Sequence, residues 1–403
     1  MEIQLPSYVS TLMLQLQKHG YECYVVGGAI RSVLLGLPVH DYDLTTDALP
    51  EEMKKVFRDY HTIETGLKHG TLTVMSDHHP IEITTYRKDS DYSDHRHPDG
   101  VTFSKTVMED CARRDFTINA LCYNEQEGLL DFFHGREDLA NKILRCIGDP
   151  YQRFNEDALR ILRALRFAAR LGFTIDPETK KAILDLKETL DYVSRERIHE
   201  ELAGFLEAGD CAGYLQEYKS VFAVFLSWVK EVDEDEWKLT AERIDAAPAD
   251  PLVRMAVLLS CNAADPKETL EELKYSTNEK NRILNMIQYR KMPVNDRISI
   301  RKVLHKINNP FPVFLSYKKS LYPDTDEKKA LDIYETVLEN NDCFSLKALA
   351  INGNDIKNAG IKGPEISASL NWCLLQVIEE KLPNEKAALM QALSERQSAD
   401  PSL

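Results

Sequence analysis

Residues 25–46 read VVGGAIRSVLLGLPVHDYDLTT, and the order of residue types in this stretch decides the fold of the N-terminal part. A short β-rich run, Tyr21–Val26, ends in Gly27-Gly28. Ala29–Leu35 reads as a helix carrying Arg31. Asp41–Thr45 alternates polar and apolar residues, as a half-buried strand does. Period two then places Asp41 and Asp43 on one face, with Tyr42 and Leu44 turned to the core. Two neighbouring carboxylates repel each other unless cations lie between them. Oxygen ligands at this spacing suit Mg²⁺, which keeps several waters and binds substrate phosphates. The glycines let backbone N–H groups approach a triphosphate at a helix start, and Arg31 can neutralise it. A lone Gly-Gly is an ordinary turn and a lone DxD a strand edge. Strand, Gly-Gly, helix and DxD in this order point to metal-assisted phosphate chemistry.

Working outward, strands and helices alternate over the first 145 residues. Pro50–Phe57 opens with Pro, Glu, Glu, a helix start. Thr71–Ser76 and Ile81–Tyr86 are predicted strands of a hairpin across Asp77–Pro80. Asp89–Gly100 is polar, with Pro and Gly, and reads as a long loop. Glu109–Leu121 is predicted helical. From Asn155 helical periodicity dominates and convincing strands stop. Asn155 is read as an N-cap, with Glu156 and Asp157 in the first turn. Breaks fall near 209–210, 246–251, 292–293 and 308–312. The fold class expected is an α+β head, a mixed sheet with helices, followed by an all-α arm.

The whole chain bounds the function further. Its 403 residues carry 50 Lys+Arg against 65 Asp+Glu, net −15. That balance argues against nonspecific coating of nucleic acid, though not against a local basic surface. No apolar run reaches the ~18 residues of a membrane span, and MEIQLPSYVS lacks the pattern of a secretory leader. The eight cysteines are scattered with no CxxC pair, so neither a zinc site nor a disulfide scaffold is expected and a cytoplasmic location is. Charge is uneven in the arm. Residues 231–279 carry 13 acidic and 5 basic side chains, and residues 280–330 carry 12 basic and 4 acidic, net −8 and +8. The basic stretch is either a set of solvated helix faces or a phosphate-contacting surface.

A second constellation is RFNEDALRILRALRFAARLGF, residues 153–173. On a helical wheel Ala158, Ile161, Leu162, Leu165, Ala168 and Ala169 form one apolar stripe. Arg160, Arg163, Arg166 and Arg170 lie off it, and no acid occurs between Ala158 and Ile175. Exposed helices ordinarily intersperse Glu for i,i+4 pairs. So few counterions suggest that a polyanion supplies the negative charge. A simply basic exposed face is the plainer alternative.

The Gly-Gly, helix, DxD pattern resembles the polymerase β-type nucleotidyltransferase superfamily. Those enzymes use two Mg²⁺ ions to activate a hydroxyl and stabilise departing pyrophosphate. The third carboxylate of that family comes from a later strand. Glu82 in PIEITTY is the candidate, with Ile81 and Ile83 facing the other way. A solvent-facing strand Glu is the alternative. More closely, the chain resembles bacterial CCA-adding enzymes, the class II tRNA nucleotidyltransferases. The matching stretches are GGAIR, DYDLTTDALPEEM, HGTLTV, EITTYRKDSDYSDHRHP, RRDFTINAL, EDALRILRALRF and ERIHEEL, together with residues 349–389. The likeness is most specific over residues 20–205. Ser32 departs from the family's usual Asp after the arginine, which touches the positioning of Arg31 rather than a metal ligand.

The resemblance implies addition of C, C and A to the tRNA 3′ end from CTP and ATP without a template. It implies Mg²⁺ at Asp41 and Asp43, with Glu82 as a further catalytic carboxylate. It places Gly28, Arg31, Arg114, Asp157, Arg160, Arg163 and Arg166 at the nucleotide, with Gly27, Asn119 and Glu156 in support, Glu156 holding Arg160 at i,i+4. An acceptor and a multiple donor are needed together to read a base. Asp157 and Arg160, three apart on one helix, can pair with the edges of cytosine and adenine. Uracil and guanine would set acceptor against acceptor and donor against donor, leaving buried groups unpaired at about 1–3 kcal/mol each. The family's division is a catalytic head over 1–145, a neck over 146–209, a body over 210–303 and a tail over 304–403 that binds the tRNA elbow. An A-adding-only enzyme and a bacterial poly(A) polymerase share much of this pattern. Ala158, where poly(A) polymerases usually have Pro, favours CCA addition, and the intact loop Arg87–Pro98 argues against a CC-only enzyme. A non-catalytic RNA-binding protein is the remote alternative, and it would require loss of a metal ligand.

Overall fold

The computed structural model describes residues 3–89 and 101–399, so the loop expected over Asp89–Gly100 lies almost wholly outside the described residues. The chain forms two compact units, residues 1–232 and 233–403.

In the first unit, nine strands and nine helices place the residues singled out above. The strands are β1 (Cys23–Val26), β2 (Asp43–Thr46), β3 (Thr62–Ile63), β4 (Thr71–Ser76), β5 (His79–Thr85), β6 (Arg87–Asp89), β7 (Val101–Phe103), β8 (Leu121–Asn124) and β9 (Gly128–Asp131). The helices are α1 (Ser7–Lys18), α2 (Gly28–Leu34), α3 (Pro50–Val56), α4 (Val107–Ala112), α5 (Gly135–Asn141), α6 (Pro150–Glu156), α7 (Leu159–Leu171), α8 (Pro177–Leu186) and α9 (Arg195–Leu206). Seven strands make one mixed sheet in the order β3-β4-β5-β2-β1-β8-β9. Only the β2–β5 pair within it is parallel. Alternation along β5 buries Ile81 and Ile83 and exposes Glu82, as a one-sided strand requires. The hairpin turn is tighter than expected. Asp77 and His78 alone make it, both at positive φ, 49° and 65°, the geometry that follows the twist of its strands.

Three local expectations are corrected. Glu109–Leu121 is not one helix. α4 ends at Ala112, a 3₁₀ turn covers Thr117–Asn119, and Leu121 already belongs to β8. Asn155 lies inside a helix, near its end, and not at its start. α6 starts behind Pro150, with Asp149 as the cap accepting from Tyr151 N. Asp157 is extended (φ −145°, ψ 103°) and breaks the chain between α6 and α7. Strands also do not stop at the head. Ile143–Leu144 pairs in parallel with Thr174–Ile175, and Arg145 bridges Asp138 and Asp176. Head and neck are thereby knitted across position 145.

The second unit is helical in its described residues, and position 303/304 falls inside its helix Arg297–Lys306. Part of the acidic run is structural: Asp233, Asp250 and Asp265 each accept backbone N–H groups as helix N-caps. The basic run is also partly consumed internally. Arg297 makes a bidentate pair with Asp342. Arg301 is 4% exposed and donates to the carbonyls of Cys343 and Val377 and to Glu380. Lys302 pairs with Glu379 at 2.6 Å. These cations tie the unit's own helices together. No helix among the described residues is long and apolar enough to cross a membrane, and all eight cysteines are buried thiols.

Candidate active site

Asp43 stands at the start of β2, and the parallel register sets it directly beside Glu82 of β5. The nonpolar partners in that register, Leu44 and Ile83, are both buried, so the two carboxylates share the opposite, open face. Asp41, just before β2, is exposed. The Asp43 carboxyl is raised from its ordinary value although it remains open to solvent. Partial desolvation is the largest cause, then the charges of Glu82 and Asp41, with Arg114 acting against them. A like-charge cluster of this kind is relieved by a divalent cation with oxygen ligands. Among the described residues no three His, Cys, Asp or Glu side chains converge tightly enough to hold a metal by themselves. Asp43 is the one member of the trio that lines the adjoining cavity.

That cavity, about 380 Å³, is walled by Gly27, Gly28, Arg31, Asp43, Arg113, Arg114, Asp115, Asn119, Asp157, Leu159, Arg160, Arg163, Phe167 and Arg197. Nearly every nucleotide-site residue expected from sequence is there, and Arg166 is not. Gly27 has φ +68°, and a Cβ on it would come within 3.0 Å of Arg114 Nη1. Glycine therefore lets this guanidinium lie against the chain between β1 and α2. Arg31, the residue next to Ser32, is positioned by Asn119 Oδ1, to which its Nη1 donates, and by the ring of Phe167, 4.9 Å away. Burial, with Arg170, Arg166 and Arg163 nearby and Asp115 opposing, pushes Arg31 down to about 10. It is still cationic at neutral pH. Arg31 Nε and Arg114 Nε are buried donors without a hydrogen-bond partner, which is costly unless an acceptor arrives.

Asp115 organises the floor. Its Oδ1 accepts from Phe116 N and Asn119 Nδ2, both at 2.8 Å, and its Oδ2 from Arg163 Nε and Nη2 at 2.9 and 2.7 Å. Burial alone would raise its carboxyl, but Arg163 first, then Asn119 and the Phe116 amide, hold it at about 2. A chain of contacts thus runs Arg163–Asp115–Asn119–Arg31, from α7 into the head. Fully buried Asp110 does the same for Arg113, at 2.9 Å, and Arg114, at 3.4 Å.

Around Asp157 and Arg160 the structure departs from the expected single helix. Asp157 precedes α7, its Oδ1 accepting from Leu159 N at 3.1 Å and its Oδ2 from Arg197 Nη2 at 2.7 Å. Arg160 is buried. Its Nη1 donates to Glu156 Oε2 at 2.7 Å and to Arg153 O, and its Nη2 to Arg113 O. The Glu156–Arg160 pair therefore spans the break between α6 and α7. The arginine helix is not short of counterions: Asp115, Glu156 and Glu201 supply them, with Arg166 Nε on Glu201 Oε2 at 2.6 Å. Arg31, Arg163 and Arg166 also gather at 4.4–5.3 Å around the Phe167 ring, where cation–π attraction offsets part of their repulsion. Arg113, Asp115, Phe167, Arg197 and Glu201 were not singled out from the sequence. The two consecutive arginines and the acid after them in RRDF were the available signal for the first two.

Comparison with known proteins places the chain in a family. Family models match at residues 23–145 (the poly A polymerase head domain), 172–219 (a probable RNA and SrmB-binding site of polymerase A) and 252–393 (a putative tRNA nucleotidyltransferase domain 2). The chain is 33% identical over 401 residues to the CCA-adding enzyme of Lacticaseibacillus paracasei, covering 95% of each. It is 34% identical over 397 residues to that of Bacillus licheniformis, covering 94% and 95%. The Bacillus stearothermophilus CCA-adding enzyme in complex with CTP superposes with a TM-score of 0.79 at 26% identity, over 99% of this chain and 100% of that one. At 20% identity the Thermotoga maritima CCA-adding enzyme complexed with tRNA shares the fold, with a TM-score of 0.67 over 98% and 97%. With near full-length relatives above 30% identity and a nucleotidyltransferase head whose strand, Gly-Gly, helix and DxD stand in order, the chain belongs to the family of CCA-adding enzymes.

Proposed function

We propose that the chain adds C, C and A to the 3′ end of tRNA, taking CTP and ATP, releasing pyrophosphate and using no nucleic-acid template. The observation that carries this reading is the cavity, where a carboxylate of the DxD pair meets buried guanidinium donors and an acceptor–donor pair fit for a base edge. Asp41 and Asp43, with Glu82 beside them, would hold Mg²⁺, which when bound would supply activation of the tRNA 3′ hydroxyl and charge neutralisation at the departing pyrophosphate. Arg31 and Arg114 direct donors at the triphosphate, in a site where water competes less for them. Gly27 and Gly28 keep the approach clear. Asp157 and Arg160 meet the base edge. Arg197 fixes the first, while Glu156 and two backbone carbonyls fix the second, so the reading groups are ordered before the nucleotide arrives. Arg163 borders the same space, and Arg166 acts on it through Glu201 and Phe167. The head 1–145 and neck 146–209 carry the chemistry, and the body 210–303 connects them to the tail 304–403. The tRNA elbow is assigned to the tail. There the exposed Lys347, Lys357 and Lys362 suit phosphate contacts better than Arg297, Arg301 and Lys302, which are occupied within the unit. The cytoplasm is the inferred location.

Asp41→Ala and Asp43→Ala test the metal assignment. Each should abolish nucleotide addition while leaving tRNA affinity nearly unchanged, since these carboxylates hold metal rather than RNA. Addition within about tenfold of the unsubstituted protein in either variant removes the assignment.

A further inference from the structure

Cys111 lies in the last turn of α4 and Cys122 on β8, and their sulfurs are 2.9 Å apart. Both side chains are fully buried. The ten residues between them include Arg113, Arg114, Asp115 and Asn119, four of the residues that wall the cavity. Cys122 is also the register partner of Val26, the residue before Gly27. The two thiols therefore close the base of a loop that presents much of the nucleotide site.

We propose that Cys111 and Cys122 are a modification site, forming a reversible disulfide under peroxide that staples this loop and slows nucleotide addition. The Cys111 thiol is the nucleophile. The hydrogen bond shared with Cys122 lowers its pKa, burial opposes this, and Arg114 and Arg113 add to the lowering. The Cys122 thiol is held high and keeps its proton. The Cys111 thiolate attacks one oxygen of hydrogen peroxide, the O–O bond breaks and hydroxide leaves, giving a sulfenic acid. The Cys122 sulfur then attacks the Cys111 sulfur. The S–O bond breaks, and the departing hydroxide takes up the Cys122 thiol proton and leaves as water. In sum two thiols and one peroxide become one disulfide and two waters. Because both sulfurs are buried, the oxidant must be small, and peroxide meets that requirement.

A disulfide fixes its sulfurs about 2.05 Å apart with a set torsion about the bond, so closing it constrains the two ends of the loop and shifts the groups between them. A misplacement of about 1 Å in groups that position a substrate costs up to about a hundredfold in rate. The activity consequence rests on the nucleotide site proposed above, whereas the bond itself does not.

The experiment treats the full-length protein with hydrogen peroxide, removes the excess with catalase, then unfolds and alkylates it for peptide mapping. A crosslinked peptide pair holding Cys111 and Cys122, two hydrogens lighter than the sum of the reduced peptides, is expected. Nucleotide addition should fall at least tenfold and return with dithiothreitol. Cys111→Ala and Cys122→Ala should keep their activity through the same treatment. Both thiols recovered alkylated after peroxide overturn the proposal, whether or not the variants fold. So does a disulfide that leaves the rate unchanged, or an equal loss in the Cys122→Ala variant. Untreated protein that adds no nucleotide would instead refute the proposed function, and the peptide map would still decide the bond.

Discussion

Replacing Asp115 by asparagine (D115N) removes one charge while keeping the side chain's shape, and its cost can be worked from the structure. The carboxylate is held at about 2, against an ordinary value of 3.8, chiefly by Arg163 and then Asn119, overcoming its burial. At about 1.4 kcal/mol per pH unit this difference amounts to about 2–3 kcal/mol of folding stability at neutral pH. The folded value is the depressed one. The contribution is therefore complete above pH ~5 and is lost as pH falls toward 2, with roughly half remaining at pH ~3. For a unit of this size, a loss of about 2–3 kcal/mol lowers Tm by about 5–10 °C. The amide introduced by D115N retains one acceptor oxygen, but its NH2 group meets N–H donors and leaves the Arg163 charge without its carboxylate, so the loss is at least of this order. The same substitution loosens Arg163 and, through Asn119, Arg31, so the KM for both nucleotides should rise more than kcat falls. Urea unfolding at neutral pH and near pH ~3, with steady-state kinetics at neutral pH, reads all of this. Equal stability of D115N and the unsubstituted protein at neutral pH, or a gap that does not narrow in acid, would refute the reasoning.

Two further outcomes follow from the same geometry. Asp157→Ala combined with Arg160→Ala should relax selection against UTP and GTP by roughly 10²-fold, because mismatched edges would no longer face unpaired buried groups. Unchanged CTP/UTP and ATP/GTP ratios would refute base reading by the protein. Charge reversal of Lys347, Lys357 and Lys362 should weaken tRNA binding and lower the slope of log K against log salt by roughly one unit per lost contact, while sparing addition to a saturating minihelix. An unchanged salt slope would dismiss the tail as the docking surface.

What could be read from the chain itself followed short-range regularity. Period two put Glu82 on the open side of its strand, and the parallel register then set it beside Asp43. Gly27 announced itself because the tight passage between β1 and α2 admits no side chain. The counterions of the arginine helix could not be read in this way. Asp115 precedes Arg163 by 48 residues and Glu201 follows Arg166 by 35, and helical periodicity relates only neighbours on one helix. The same limit hid the acidic partners of Arg297, Arg301 and Lys302, since Asp342, Glu380 and Glu379 lie 45, 79 and 77 residues downstream. The misplaced helix start came from competition between caps. Asp149 followed by Pro150 is as good a start as Asn155, and it lies more than a turn earlier.

The most direct measurement of the central claim is product length on denaturing gels. tRNA ending at the discriminator base is supplied with CTP, ATP or both, in Mg²⁺. CTP alone should extend it by two nucleotides, CTP with ATP by three and no further, and ATP alone should not extend it efficiently, while tRNA ending in CC should gain one A from ATP. A long adenylate tail, or extension of only the CC-ending tRNA, would contradict CCA addition by this chain.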